Sequence, residues 1–141
     1  MPSPTEALQI QEHIRSNPAF FFETFLGAKP WSKQIEIANS VRDNRITTVR
    51  SCHAIGKSFT ASRVAVWYLM AHPESIVVTT APTWRQVKDI LWREMRTAYE
   101  KSKVPLSRRE PTMTGWELAN NWYAVGLSTK DPDKFQGYHA D

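Results

Sequence analysis

Apolar and polar positions along the chain change period several times, and each change marks an element. From Glu6 to Arg15, Ala7, Ile10 and Ile14 fall on one side at helical spacing. Asn17 and Pro18 interrupt that helix, because proline disfavours helical geometry in the residue before it. The stretch PAFFFETFLG then forms a short apolar segment ending at Gly27, whose three consecutive phenylalanines are expected to hold an N-terminal arm, residues 1–30, onto the body. Lys29, Pro30 and Trp31 form a boundary. Beyond it, Ser32 is the expected N-cap of a helix with Ile35, Ile37, Ala38 and Val41 inside.

The β-branched run Ile46 to Arg50 (ITTVR) predicts a strand. After Gly56-Lys57-Ser58, a helix is predicted from Ala61, Val64, Ala65, Tyr68 and Leu69, with Trp67 and Met70 widening the stripe. Ser75 to Ala81 (SIVVTTA) is a continuous apolar run, which suits a strand covered on both faces. Pro82 and Thr83 open another helix with Val87, Ile90, Leu91, Met95 and Ala98 inward and Arg85, Lys88, Arg93 and Arg96 outward. Lys101 to Thr112 is a basic linker. MTGWEL and NWYAVGL predict two strands joined by Ala119, Asn120 and Asn121, and the tail STKDPDKFQGYHAD is rich in turn formers. Strand, helix, strand, helix in this order predicts an α/β fold with a parallel sheet.

Composition narrows the classes without choosing one. With 141 residues, 41% apolar and 23% charged, the chain is the size of one domain and is neither collagenous, low-complexity nor a disulfide scaffold. No apolar run has the length of a membrane span, the N-terminus lacks the order of a secretion signal, and Cys52 is the one cysteine; a soluble cytoplasmic protein is expected. A net charge of +4 permits an anionic partner without demanding one. The six tryptophans are expected to fill core space rather than stack on bases.

The chemistry concentrates between Val49 and Ser62 (VRSCHAIGKSFTAS), where a predicted strand turns through a loop into a helix. Amides at a helix N-terminus point at anions, and the helix dipole adds to the attraction. Gly56 lets backbone approach a phosphate, Lys57 brings a mobile cation, and Ser58 offers a hydroxyl to magnesium. The full pattern G-x-x-x-x-G-K-[ST] fails at its first position, which is Ser51. Cys52 and His53 have no second cysteine or evident partner that would make them a metal or nucleophile pair. With Ala54 and Ile55 they are expected to serve through their backbone amides. Upstream, Trp31 and Gln34 supply a ring that can stack on a base and an amide that can both donate to and accept from an adenine edge. Downstream, APTWRQV opens a helix directly after a strand, where open α/β sheets meet ligands.

In order, W-x-x-Q-x-E-I, V-R-S-x-H-x-x-G-K-S, V-V-T-T-A-P-T-x-x-Q-V and F-Q-G-Y-H-A resemble the large subunit of tailed-phage terminases, over Trp31 to Asp141. That resemblance implies a RecA/helicase-like P-loop NTPase sheet flanked by helices, with residues 31–141 forming the N-terminal part of the ATPase domain. It implies ATP and Mg²⁺ as cofactors. Gln34 and Trp31 would serve the adenine, Ser51 to Ser58 the phosphates, and Ser58 the metal. Ala81-Pro82-Thr83 and Gln86 match a segment that superfamily 2 helicases also carry near nucleic acid. Arg50 is a candidate phosphate sensor. Double-stranded DNA, a portal protein, the terminase small subunit and further copies in a ring are the implied partners, in the host cytoplasm with no membrane attachment. Terminases often lack the first glycine of the phosphate loop, so Ser51 is compatible with the family.

Two departures stand out. Some relatives carry arginine where this chain has Gln136, so no trans-acting finger is identified. The family also places a hydrophobic strand ending in Asp-Glu after F-x-G-x-H, and no Asp-Glu pair occurs in this sequence. The expected chain is therefore an N-terminal part of a longer motor, without its nuclease domain and without appreciable hydrolysis of its own. A superfamily 2 helicase-like translocase, or a small non-catalytic module that anchors nucleotide or DNA phosphate, are the alternatives. Candidate DNA contacts are Arg85, Arg93 and Arg96 with Lys101, Lys103, Arg108 and Arg109 of the linker.

Overall fold

A computed structural model describes residues 3–50 and 56–129. Its first two helices are set by local signals. Ser3 Oγ accepts from the Glu6 amide at 3.2 Å and Glu6 Oε2 accepts from the Ser3 amide at 3.0 Å, a reciprocal cap that starts α1 (Pro4–Ser16). Asn17 ends α1, and its Oδ1 accepts from the Phe20 amide at 3.1 Å to start α2 (Pro18–Thr24). Phe21 and Phe22 of α2 are buried in the same core as the helices that follow, so the arm packs onto the body as its aromatics suggest.

The middle of that core is α4 (Lys57–Ala71), flanked by α3 (Ser32–Asp43) and the C-terminal half of the chain. Four of the six tryptophans lie in or against the core with their indole N–H groups satisfied. Trp67 donates to the Ile14 carbonyl at 2.8 Å and thereby ties α4 to α1. Trp122 donates to the Leu69 carbonyl, Trp92 to Thr79 Oγ1, and Trp116 to Ser107 Oγ. Trp31 and Trp84 are exposed. The core-filling role expected for tryptophan holds for four positions, and these two are the exceptions.

The sheet has three strands in the order β1 (Ile76–Ala81), β3 (Trp122–Ser128), β2 (Gly115–Ala119). The predicted hairpin forms: β2 and β3 are antiparallel, joined at Asn120 and Asn121, and Asn121 takes a left-handed φ of 61° that asparagine tolerates. β1 and β3 are parallel, so the sheet is mixed rather than all-parallel. The fold is α/β, as expected, although the first strand of the predicted strand-helix-strand-helix order is not there.

Three expectations are corrected. Residues 46–50 form no strand; Ile46 and Val49 are exposed and the segment has no ladder partner, without which β-propensity stabilises nothing. β1 is covered on one face only, since Thr79 is buried while Val78 and Thr80 are exposed. An apolar run does not distinguish a central strand from one at the end of a small sheet. The buried stripe of α4 runs through Thr60, Arg63, Val66, Trp67 and Leu69, leaving Tyr68 and Ala61 outside. Val66 and Trp67, both fully buried, mark the side of that helix turned toward the core.

The helix after Pro82 also departs from the predicted stripe. Gln86–Leu91 is a π-helical turn, closed by the Trp92 amide donating to the Val87 carbonyl, and it leads into α5 (Trp92–Glu100). The wider turn moves the inward positions to Val87, Trp92, Met95 and Ala98 and carries Ile90 out to the surface. Both inward residues press on the sheet: Gly126 of β3 sits so close that a Cβ there would lie 2.4 Å from Trp92 Nε1 and 2.6 Å from Val87 Cγ1. The indole is seated between helix and strand with its N–H on Thr79 Oγ1, and the π turn delivers it there.

Candidate functional site

Three separate segments meet in one cleft of about 720 Å³. The first turns of α3 bring Trp31, Lys33, Gln34, Glu36 and Ile37, the extended segment brings Thr47, Thr48, Val49 and Arg50, and the start of α4 brings Lys57, Thr60 and Ala61. Sequence reasoning named Trp31, Gln34, Arg50 and Lys57 as binding residues, and all four line this one cleft. The segment 47–50 needs no strand to reach it: Thr47 Oγ1 and Ser40 Oγ are 3.0 Å apart, which fastens the extended chain to α3.

Helix α3 begins one residue earlier than Ser32 would set it. Trp31 is the N-cap, and its amide donates to Gln34 Oε1 at 3.1 Å, the N3 half of a capping box whose N-cap half an indole cannot supply. The other end of the same amide reaches α4: Gln34 Nε2 donates to Thr60 Oγ1 at 3.0 Å. Thr60 Oγ1 in turn donates to the Gly56 carbonyl at 2.9 Å, the i−4 bond that threonine makes inside helices. A continuous set of bonds thus runs from the N-cap of α3 to the N-cap of α4.

Gly56 is that N-cap, with φ 73° in the left-handed region and no side chain of its own to cap the helix. A Cβ at Gly56 would meet Gln34 Nε2 at 3.7 Å and Phe59 Cβ at 3.9 Å, both ordinary contacts. The backbone angle, not crowding, therefore calls for glycine. Lys57 is exposed, and Ser58 is half-buried in the same first turn without lining the cleft. Ser51, Cys52, His53, Ala54 and Ile55 lie outside the described residues, as does the Phe135-Gln136-Gly137 segment. Lys57 and Arg50 give the inner end of the cleft positive charge. Lys33 and Glu36, 3.2 Å apart and both exposed, form a rim pair that contributes little.

The structure divides the candidate DNA contacts. Arg85, Arg93 and Arg96 line a groove of about 810 Å³ with Thr83, Gln86, Asp89 and Ile90. Arg96 is partly committed, since Nη1 donates to the Met113 carbonyl at 2.9 Å. Arg108 and Arg109 line a different hollow beside β2, where Arg109 lies 3.5 Å from Glu117. Lys101 and Lys103 line neither; the Lys103 stem lies against Gly27 and its amide donates to the Phe25 carbonyl at 2.8 Å. The linker therefore fastens the arm more than it extends the basic groove.

Two residues escaped sequence reasoning. Thr60 is invisible as a partner of Gln34 because the two are 26 positions apart in an undistinguished helix. Arg63, nearly buried, places Nη1 2.6 Å from Glu94 Oε2 and its guanidinium 3.8 Å over the Phe59 ring, which locks α4 to α5 just behind the first turn. A lone arginine among alanines and valines gives no sign that it is inside.

Among the described residues no group of three or more His, Cys, Asp or Glu side chains is placed to hold a metal ion. None of the helices described is long and apolar enough to cross a membrane. Compared with known protein families, with curated proteins and with solved structures, the chain matches none.

Proposed function

We propose that the cleft binds ATP with magnesium, and that the chain is the ATP-binding unit of a DNA-packaging motor of the terminase large-subunit type. The supporting observation is convergence. An aromatic ring, a primary amide, an arginine and a lysine, drawn from three segments separated in sequence, line one cleft at the start of a helix. Each group has a matching part of the nucleotide. Trp31, half-exposed at the mouth, offers a face to the base, and Gln34 offers its edge. Lys57 and Arg50 offer charge to the phosphates, and the first-turn amides of α4 favour an anion.

These residues fit the nucleotide and part of a magnesium shell. Ser58 is the hydroxyl that the resemblance offers to the metal; it stands in the first turn of α4 beside Lys57 but outside the cleft lining. The carboxylate that would complete such a shell is not supplied by the cleft, whose Glu36 is paired with Lys33 at the rim. Bound magnesium neutralises phosphate charge; the protein's part is to orient the chain of phosphates along α4. Hydrolysis would further need an acidic residue to orient water, and the sequence has no Asp-Glu pair to supply one. In the motor reading, the exposed groove of Arg85, Arg93 and Arg96 faces double-stranded DNA. The portal protein, the terminase small subunit and further copies of the motor are its assembly partners.

Calorimetric titration of the purified chain with Mg-ATP tests this reading. Binding is expected, with Lys57→Ala weakening it about tenfold or more by loss of a charge-assisted contact. Phosphate release is expected at background with and without DNA. Absence of binding at millimolar nucleotide overturns the ATP site, and turnover abolished by Lys57→Ala overturns the inactive assignment.

A further inference from the structure

The bonds around Gln34 fix which way its amide faces, and that direction has a chemical consequence. The Trp31 amide is only a donor, so the atom 3.1 Å from it must be Oε1. Thr60 Oγ1 gives its single proton to the Gly56 carbonyl at 2.9 Å, so toward Gln34 it can only accept, and the atom 3.0 Å away must be Nε2. Flipping the amide would set N–H against N–H at Trp31 and lone pair against lone pair at Thr60. After these bonds are made, Gln34 retains one Nε2 hydrogen and one Oε1 lone pair. That pair matches a base edge presenting an acceptor beside a donor, as N7 and the 6-amino group of adenine do. The 6-oxo group of guanine would bring an acceptor to Oε1 instead.

Resting on the reading of the cleft as a nucleotide site, we propose that Thr60 is a specificity-determining positioning residue: by accepting from Gln34 while donating to Gly56, it holds the amide in the orientation that selects 6-amino over 6-oxo purine nucleotides. Thr60 touches no base itself. It acts through Gln34. The hydroxyl proton, committed to Gly56, adds to the hold of the Trp31 amide, because a partner free to donate to Gln34 would favour the turned amide at that end.

The unmodified chain supplies the first test, which no folding defect can confuse. Titrations with Mg-ATP, Mg-GTP and the 7-deaza analogue of ATP are expected to rank ATP first, with the other two weaker by roughly ten- to hundredfold through an unsatisfied group. The second test compares Thr60→Val with Thr60→Ser. Valine keeps the shape and removes the hydroxyl while the Trp31 amide still holds Oε1, so the ATP-to-GTP preference should fall about threefold or more without vanishing. Serine restores the hydroxyl and should restore the preference, and thermal melting shows whether each variant is folded. ATP binding with no preference over GTP in the unmodified chain overturns this inference while leaving the nucleotide site standing. An unchanged preference in folded Thr60→Val overturns it as well, as does a preference that Thr60→Ser fails to restore. Binding of neither nucleotide overturns the site itself and this inference with it.

Discussion

Two helix starts in this molecule carry a glutamine three residues in, and they use it differently. At the start of the helix after β1, Gln86 Oε1 accepts from both the amide and the hydroxyl of Thr83, and Thr83 Oγ1 accepts from the Gln86 amide, all within 3.2 Å. That box closes on itself. At α3 the cap residue is Trp31, which has no hydroxyl to offer, so Gln34 caps with Oε1 alone and its Nε2 is left to bond Thr60 on α4. A purely local interaction therefore accounts for T-x-x-Q in the A-P-T-x-x-Q-V stretch. W-x-x-Q needs a tertiary partner, and that partner sits at the mouth of a cleft. Similar spacing is local punctuation in one place and part of a site in the other.

Substitution can break this comparison. Gln34→Ala is expected to weaken ATP binding about tenfold or more, whereas Gln86→Ala leaves it unchanged; calorimetry on both variants decides. If Gln86→Ala were the damaging change, the two starts would have been assigned the wrong way round. The next effect is on stability. Thr83→Ala removes a closed box and should cost about 1 kcal/mol in urea unfolding, with no change in nucleotide affinity. Gly56→Ala forces a side chain into a left-handed backbone and should cost about 1 kcal/mol as well. In that variant, unlike Thr83→Ala, nucleotide affinity should fall too.

The smallest effect comes from the far end of α4, away from both starts. Burial, reinforced by the positive charge of Arg15, pushes the His72 imidazole below its ordinary pKa, while its bond to the Tyr68 carbonyl opposes the shift. The folded state thus prefers the neutral ring. Its contribution is intact above the unfolded value of about 6.5 and is lost as pH falls from there through the folded one. The urea midpoint should drop slightly between pH 7.5 and pH 5.5, and His72→Gln should flatten that difference. Nucleotide affinity should not follow His72, since the residue lies outside the cleft.

The helices and the hairpin were legible because their signals are local. The first helix ends at Asn17 as its break signal implied, although Pro18, read as part of that break, also begins α2, and Asn120-Asn121 turns the hairpin. Faces and neighbours were not legible. The stripe of α4 was misjudged because Arg63 reads as a surface residue until Glu94 and the Phe59 ring are placed beside it. The inward register of α5 was misjudged because a π turn shifts it by a residue and brings Val87 and Trp92 against Gly126, a contact some 35 positions beyond the turn's last residue, Leu91. Residues 46–50 have strand-like side chains and no strand to pair with. For the site, the residue types of Trp31, Gln34, Arg50 and Lys57 were enough to nominate them; Thr60 was not, because its role exists only across 26 positions of sequence.

The account stands or falls on whether the three converging segments hold one nucleotide. Photolabelling with 8-azido-ATP in the presence of magnesium, followed by peptide mapping, measures this most directly. The account predicts label on the peptide containing Trp31 and Gln34, removed by excess ATP and lost in Lys57→Ala. Label confined to the peptide of the Arg85–Arg96 groove, or label on the Trp31 peptide that excess ATP fails to displace, would contradict it.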